Sequence, residues 1–277
     1  QTDLYFEIWI NRPNKVALSI VSPSGEIIDK IPARLQEVEQ IRFVFEGTRM
    51  FIQYAIPEEI TGDELIKIRA ENLKEGIWQF RLIGDYIVNN AQYHSWIPQR
   101  ELLQGDTRFL NSSQYTTLSI PSTSRNVLSV AYYNQNNKAT VGKSGRGYTR
   151  DNRVKPSIAA GGINALVLSP GGTTKRASGA SVAGAVVAGC CAQLFQWGII
   201  DGNDVTMNSV KLKTYITRGS GKREGDLYPN REWGYGIIDM QGVFNNIRSR
   251  VYREESFDEF YIGDMLIRKS NDFTNKE

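Results

Sequence analysis

Residues 178–189 read Ser-Gly-Ala-Ser-Val-Ala-Gly-Ala-Val-Val-Ala-Gly and carry no charge. This pattern predicts a helix whose first turns are built almost wholly from small residues, so that it can approach a sheet closely. A serine at its start lies beside free backbone N–H groups, where the helix dipole favours negative charge. Such a serine can act as a nucleophile next to an oxyanion site, or it can serve only as a helix cap.

The uncharged stretch extends over residues 177–200, which is long enough to cross a bilayer. Its first half is weakly hydrophobic, and no basic cluster follows it to set an orientation. We therefore expect a helix buried on all sides in a soluble core and no membrane span. Cys190 and Cys191, adjacent within it, are interpreted as small buried hydrophobic residues.

Seven short runs of alternating polar and apolar residues precede this helix, between Leu4 and about residue 98. Turn residues separate the runs, which is typical of an antiparallel sandwich or jelly roll. Their aromatic residues allow a stacking platform for a sugar or protein ligand, or packing in the core. Trp9 and Trp78 stand within alternating strands, which favours the core. The other aromatic candidates are Tyr54 and Trp96.

Beyond a linker at residues 105–114 the pattern becomes that of an α/β domain. Strands are predicted at 126–133 and 163–169, and helices at 207–217 and 239–248, flanking the uncharged helix. These strands are too few for a complete doubly wound sheet. The predicted division is a β-sandwich at 1–110, an α/β part at 111–250 and a peripheral tail at 251–277.

Composition excludes several functions. Thirty-three Lys and Arg against 30 Asp and Glu give a net charge of +3, which argues against charge-driven binding of nucleic acid or membranes. Two adjacent cysteines cannot by themselves form a zinc site. Residues 201–204, Asp-Gly-Asn-Asp, allow a calcium loop, but a turn capping the next helix explains them without metal. No metal and no cofactor are predicted. His94 is the single histidine, so any histidine-dependent chemistry uses it or a histidine from another segment.

Three ordered motifs resemble those of the subtilisin-like serine proteases, the subtilases. Residues 178–189 are similar to the S-G-T-S-M-A-x-P-x-V-x-G motif around the nucleophile, and residues 145–172 and 233–239 resemble the motifs before and after it. The β-rich part, including SPSGE at 22–26 and GIWQFRLIG at 76–84, resembles the clostridial Csp germination proteases, which carry an inserted jelly roll. The resemblance implies a jelly-roll sandwich followed by the C-terminal half of a subtilisin-like α/β domain, with a parallel sheet and a buried central helix.

By this resemblance Ser181 takes the position of the nucleophile, and its backbone N–H is an oxyanion donor. The catalytic Asp and His and the oxyanion-hole Asn are expected upstream of Gln1, so the upstream half of the same domain is an expected partner. The missing initiator Met fits an excised piece. His94 lacks the family's H-G-T context and is expected to be structural. Ser119 is assigned to substrate binding.

The function implied is that of a serine endopeptidase which hydrolyses a protein substrate through a Ser-His-Asp triad. The Csp group implies a role in bacterial spore germination, activating a cortex-lytic zymogen in the spore. Departures from the family pattern are Ala180 for Thr, Ala185 and Val186 for Pro-His, and Gly161 for Pro. They leave open an inactive pseudoprotease that acts in germinant signalling or protein binding. A third alternative is a β-sandwich binding module attached to a structural protein.

Overall fold

The computed structural model describes residues 3–35, 37–88 and 90–249, together with Gly263 and Met265. Contacts divide the chain into two units, Gln1–Ser113 and Gln114–Glu277. This division falls within a few residues of the boundary expected at 110. The tail expected at 251–277 lies outside the described residues, apart from the two just named.

The first unit consists of two antiparallel sheets, one of five strands and one of three. All seven runs expected from the alternating pattern form strands, and an eighth strand that the pattern did not predict follows the second of them. The strands are β1 (Asp3–Ile10), β2 (Lys15–Val21), β3 (Ile27–Ile31), β4 (Val38–Phe43), β5 (Thr48–Ala55), β6 (Glu64–Glu71), β7 (Gln79–Tyr86) and β8 (Tyr93–Trp96).

The two sheets pack face to face around one apolar core. Their strand orders are β4-β5-β6-β1-β8 and β3-β2-β7. Alternation places every second side chain of a strand inside: Phe6 of β1 lies opposite Ile68 of β6, and Ile8 lies opposite Ile66. Leu18 of β2 supplies the facing layer from the smaller sheet. The unit is therefore an antiparallel β-sandwich.

The prediction that Trp9 fills the core is wrong. Trp9 lies on the opposite face of β1 from Ile8 and Ile10; it is half-buried, and its indole N–H donates to Glu7 Oε2 at 2.9 Å. A period of two predicts that every second side chain of β1 faces the core, but it leaves open which of the two sets does so. In the structure the set that includes Ile8 and Ile10 faces the core. Trp78 is partly buried and packs edge-on against Phe43, with 4.9 Å between ring centroids.

The described part of the second unit contains a three-stranded sheet with one parallel and one antiparallel pair of strands, a hairpin and three α-helices. The predicted strand at 163–169 forms part of the hairpin. In the sheet, the parallel neighbour of the first strand is a strand that the sequence pattern did not predict. The elements are β9 (Val130–Asn134), β10 (Ala139–Thr140), β11 (Ile158–Gly161), β12 (Ala165–Leu168), β13 (Thr174–Ala177), α1 (Ala180–Phe195), α2 (Ser209–Arg218) and α3 (Met240–Ser249).

The parallel sheet lies directly under α1. Strands β9 and β11 run parallel, and residues 236–238 add a further parallel segment, since the Ala159 N–H donates to Gly236 O and the Ile238 N–H to Ala159 O, both at 2.8 Å. Ala183 and Val187 of α1 share a core cluster with residues of β9 and β11. The sheet thus positions the start of α1 at the carboxyl end of β11.

Helix α1 is covered on one face only by the described residues, so the expectation of burial on all sides is wrong for this chain. Its buried residues are Ala183, Val187 and Leu194, while Val186 is 45% exposed. Cys190 and Cys191 are likewise only partly buried. With its π-helical extension, residues 180–200, α1 is the one described helix long and apolar enough to cross a membrane, a weak indication on its own.

Candidate active site

Ser181 is the second residue of α1 and is exposed. Gly179 precedes the helix with φ +143, and no side chain caps this N-terminus. Within the described part of the chain, no hydrogen bond engages the Ser181 hydroxyl. The Val182 and Ala183 N–H groups donate to Gly179 O at 3.1 and 3.4 Å, while the Ala180 and Ser181 N–H groups have no partner within the described part of the chain. A negative charge that develops beside Ser181 therefore meets free N–H donors and the positive end of the helix dipole.

The start of α1 is locked to the end of β11. The Gly179 N–H donates to Gly162 O at 2.8 Å. A Cβ added at Gly162 would lie 2.9 Å from Gly179 O, closer than real Cβ atoms come to backbone, and 3.0 Å from Tyr132 Cβ, which is a very tight contact. Ser178 Oγ accepts from the Asn164 N–H at 2.8 Å. Only glycine permits this approach, and together these contacts fix the position from which Ser181 projects.

The motif at 233–239 plays a structural part in the site. Gly234 has φ +58 and passes so close to Pro156 O that no Cβ fits. Gly236 has φ +138, and its Cβ would lie 2.5 Å from Gly221 O. The hydroxyl of Ser220 donates to Tyr235 O at 2.7 Å. This glycine turn delivers residues 236–238 to the free edge of β11.

The motif at 145–172 includes a buried lysine. Lys155 is 1% exposed, and its ammonium group donates to the carbonyl of Val127. Burial lowers the pKa of Lys155 to about 8, and the positive charges of Lys213 and Arg153 contribute to the shift. Lys155 thus ties the segment before β9 to the segment before β11, beneath the parallel sheet.

The second unit contains no histidine, because the chain's single histidine, His94, lies in β8 of the first unit. Its ring stacks on Trp96 with 5.7 Å between centroids and an interplanar angle of 9°. Burial raises the pKa of the Cys190 and Cys191 thiols, which disfavours their thiolate forms as nucleophiles. Among the hydroxyl and thiol groups discussed, Ser181 is the one at a free helix N-terminus.

The turn at residues 201–204 is held by protein contacts. Asp204 forms an ion pair with Lys211 at 2.7 Å and accepts from Thr206 Oγ1 at 2.9 Å. The cap of α2 is Asn208, which accepts from the Val210 N–H at 3.0 Å, so the capping assigned to the turn itself was wrong. The described residues contain no group of three or more His, Cys, Asp or Glu that could hold a metal ion.

Ser119 lies in an exposed turn, where its carbonyl accepts from the Ser122 N–H at 2.8 Å. Its role in substrate binding stays a prediction. A second feature was missed altogether: Glu64, at the start of β6, is buried in the first unit. The signal was present in the sequence, because Glu64 shares its alternation with Ile66 and Ile68 and therefore points to the core face.

Comparisons with known proteins agree with this geometry. Residues 104–236 match the sequence model of the subtilase family. The structure of the CspB protease of Clostridium perfringens aligns with a TM-score of 0.80 and 27% identity, over 94% of this chain and 54% of that protein. The chain thus spans about half the length of that relative. No curated protein matches the sequence.

Two further solved structures align with the chain less extensively. The patellamide maturation protease PatA is 24% identical over 49% of this chain and 48% of its own, with a TM-score of 0.41. The prenylagaramide maturation protease PagA is 23% identical over 48% of this chain and 46% of its own, with a TM-score of 0.40. The family match and the CspB alignment confirm the predicted fold class, a β-rich domain followed by part of a subtilisin-like α/β fold. The chain is similar to the subtilase family over residues 104–236, and it resembles the CspB protease along nearly its whole length.

Proposed function

We propose that the native-length protein is a serine endopeptidase and that this chain supplies its nucleophile, Ser181. The observation that carries the proposal is the exposed, unengaged hydroxyl of Ser181 at the uncapped N-terminus of α1. The match of residues 104–236 to the subtilase family supports a serine protease in general. The rest of the triad is assigned to residues outside this chain.

In the proposed reaction Ser181 Oγ attacks the scissile carbonyl carbon, and its proton passes to a histidine of the upstream half. The carbonyl oxygen takes the negative charge and is stabilised by the Ser181 backbone N–H and by an asparagine from that half. The histidine then returns the proton to the leaving amine, and water hydrolyses the acyl-enzyme. A base is required because an unassisted serine hydroxyl is a weak nucleophile at neutral pH.

The uncovered face of α1 is the surface we assign to the upstream half. Small or apolar side chains form this face, so a second layer can pack close to the helix axis. Contact there places groups of the upstream half beside Ser181, which lies at the end of the same helix. The exposed residues of this face include Ala185, Val186, Ala188, Gly189 and Ala192.

The resemblance to the CspB protease supports a role in bacterial spore germination, with a cortex-lytic zymogen as the protein substrate and the spore as the location. The pseudoprotease remains the second candidate because of specific residues. Ala180, next to the nucleophile, lacks the hydroxyl that the family's Thr offers the oxyanion, and Ala185 and Val186 replace Pro-His on the face of α1.

A fluorophosphonate probe tests the proposal on the native-length protein. Such a probe labels a serine only when a base and an oxyanion site activate it. We expect slow labelling, because Ala180 offers no hydroxyl, and complete loss of labelling in Ser181→Ala. Ser209→Ala is the matched control: Ser209 is an exposed serine in the first turn of another helix, α2, and its removal leaves the label in place. Folded native-length protein that takes no label identifies a pseudoprotease.

A further inference from the structure

The first unit contains a cavity of about 460 Å³ at one end of the β-sandwich. The β1–β2 turn, the β5–β6 loop and the end of β7 surround it. Its size is that of a small-molecule site. Most of its wall is apolar, and the side chains that form this part are Pro13, Ile56, Pro57 and the ring of Tyr86.

Glu64 is a buried acidic residue that lines the cavity. This side chain is 2% exposed. Its Oε2 accepts from the Val16 N–H at 2.7 Å, while its Oε1 is buried and has no hydrogen-bond partner in the described part of the chain. A buried carboxyl oxygen without a partner is costly, and native structures rarely keep one without a reason. Glu64 therefore offers one unused acceptor to a ligand.

The rim of the cavity is positively charged. Arg12 and Lys15 line it, and neither forms an ion pair with the described residues. The guanidinium of Arg12 lies across the loop, because a Cβ added at Gly62 would be 3.3 Å from its Nη1. Asn14 also lines the cavity, but its amide already donates to Asn11 O at 2.9 Å and accepts from the Val88 N–H at 2.7 Å.

Hydrogen bonds hold the walls in place without a ligand. The Arg12 N–H donates to Asp63 Oδ1 at 3.0 Å, which ties the β1–β2 turn to the β5–β6 loop. Within that loop Glu58 Oε2 accepts from the N–H of Thr61 at 2.9 Å and from its hydroxyl at 2.8 Å. The cavity is thus pre-formed, which lowers the entropic cost of binding.

We propose that this cavity binds a small zwitterion with an apolar body. Its ammonium group donates to Glu64 Oε1, its carboxylate meets Arg12 and Lys15, and its apolar part packs against Ile56 and Pro57. A simple amine would add a positive charge to a rim that already carries two. A simple carboxylate would leave Glu64 Oε1 without a donor. Only a ligand with both charges satisfies both ends of the cavity.

Isothermal titration of the native-length protein with L-leucine at pH 8, where the Glu64 carboxyl is ionised, tests the site. Isocaproate, which lacks the amine, and isoamylamine, which lacks the carboxylate, are matched probes of nearly the same shape. We expect saturable binding of L-leucine and binding of each half-charged analogue weaker by roughly tenfold or more. Absence of saturable binding of L-leucine, or equal affinity for isocaproate, would overturn the proposal.

Variants assign the binding to the cavity. Glu64→Gln keeps an acceptor for the Val16 N–H but removes the charge, and it is expected to weaken L-leucine binding by roughly tenfold or more. Arg12→Gln, at an exposed rim position, gives a second test that leaves the core intact. Glu46→Gln is the control, because Glu46 is also buried, at 7% exposed, with an unpartnered Oε2. Unchanged affinity in both Glu64→Gln and Arg12→Gln would contradict the site.

Discussion

Glu64 couples the stability of the β-sandwich to pH. Burial raises the pKa of Glu64 to about 7, the Val16 N–H and Lys15 oppose the shift, and Asp85 adds to it. Tyr54, buried in the core, and Arg12, on the cavity rim, also lie near Glu64. The folded state keeps a proton that the unfolded chain releases near its ordinary pKa. This group therefore lowers stability as pH rises from about 4.5 to about 7.

Glu64→Gln is expected to remove this pH dependence. As pH rises from about 4 to about 8, the free energy of unfolding of the variant should increase by about 2–3 kcal/mol relative to that of the parent protein. Urea unfolding at a series of pH values measures the difference. At Glu46 burial acts in the same direction, but hydrogen bonds from Ser24 and Ser22 outweigh it and lower the pKa. The difference in unfolding free energy between Glu46→Gln and the parent protein should therefore change with pH in the opposite sense.

Gly162 is the residue on which the placement of Ser181 depends. An added Cβ there would lie against Gly179 O and Tyr132 Cβ, so Gly162→Ala must push the start of α1 away from β11. We expect a loss of about 1–3 kcal/mol in unfolding free energy and slower fluorophosphonate labelling of Ser181. Gly142→Ala is the control, since nothing lies within 4 Å of its added Cβ. Equal effects of the two substitutions would contradict this account of the helix start.

At the scale of elements, strands were easier to predict than the direction of their faces. Alternation and turn residues located seven strands, because both signals are local in sequence. The same alternation carries Glu64 onto the face of Ile66 and Ile68, although a charged residue at the start of a strand is normally taken as exposed. The prediction for Trp9 was wrong because this residue was assigned to the core by its large aromatic side chain and not by its position in the alternation. Strand β3 was missed because Asp29 and Lys30 interrupt its apolar pattern.

Helix α1 has an element-scale test on its uncovered face. If the upstream half packs there, Val186→Asp buries an unpaired carboxylate in the native-length protein and should cost about 2–4 kcal/mol of unfolding free energy. Val210→Asp on α2 is the matched control, because Val210 is 67% exposed and lies in the first helical turn, where acidic residues are favourable. Comparable stability of both variants would show that Val186 stays in water.

At the scale of the whole molecule, features that local motifs determine can be predicted from the sequence, whereas features that depend on distant segments cannot. Motif order assigns Ser181 as the nucleophile, and this assignment stays a prediction. The same motifs contain glycines that close approach requires, such as Gly162 and Gly234. Burial of α1 on all sides could not be predicted from motif order. Burial depends on every residue that packs against a helix, and this chain covers 54% of the CspB protease it resembles.

We expect the 277-residue chain to associate or aggregate when produced by itself, because the apolar face of α1 is left in water. The native-length protein should be soluble under the same conditions. Size-exclusion chromatography with light scattering compares the two. A stable 277-residue monomer with one cooperative unfolding transition would show that the chain does not depend on an upstream half.

The stack of His94 on Trp96 provides a spectroscopic reporter of the sheet edge. With one histidine in the chain, the imidazole gives one set of ring-proton resonances in a proton NMR spectrum of this chain. The indole lies nearly parallel to the ring, 5.7 Å away, so its ring current moves those resonances upfield. Loss of that upfield shift would show that β8 has separated from β1. The measurement needs no isotope label.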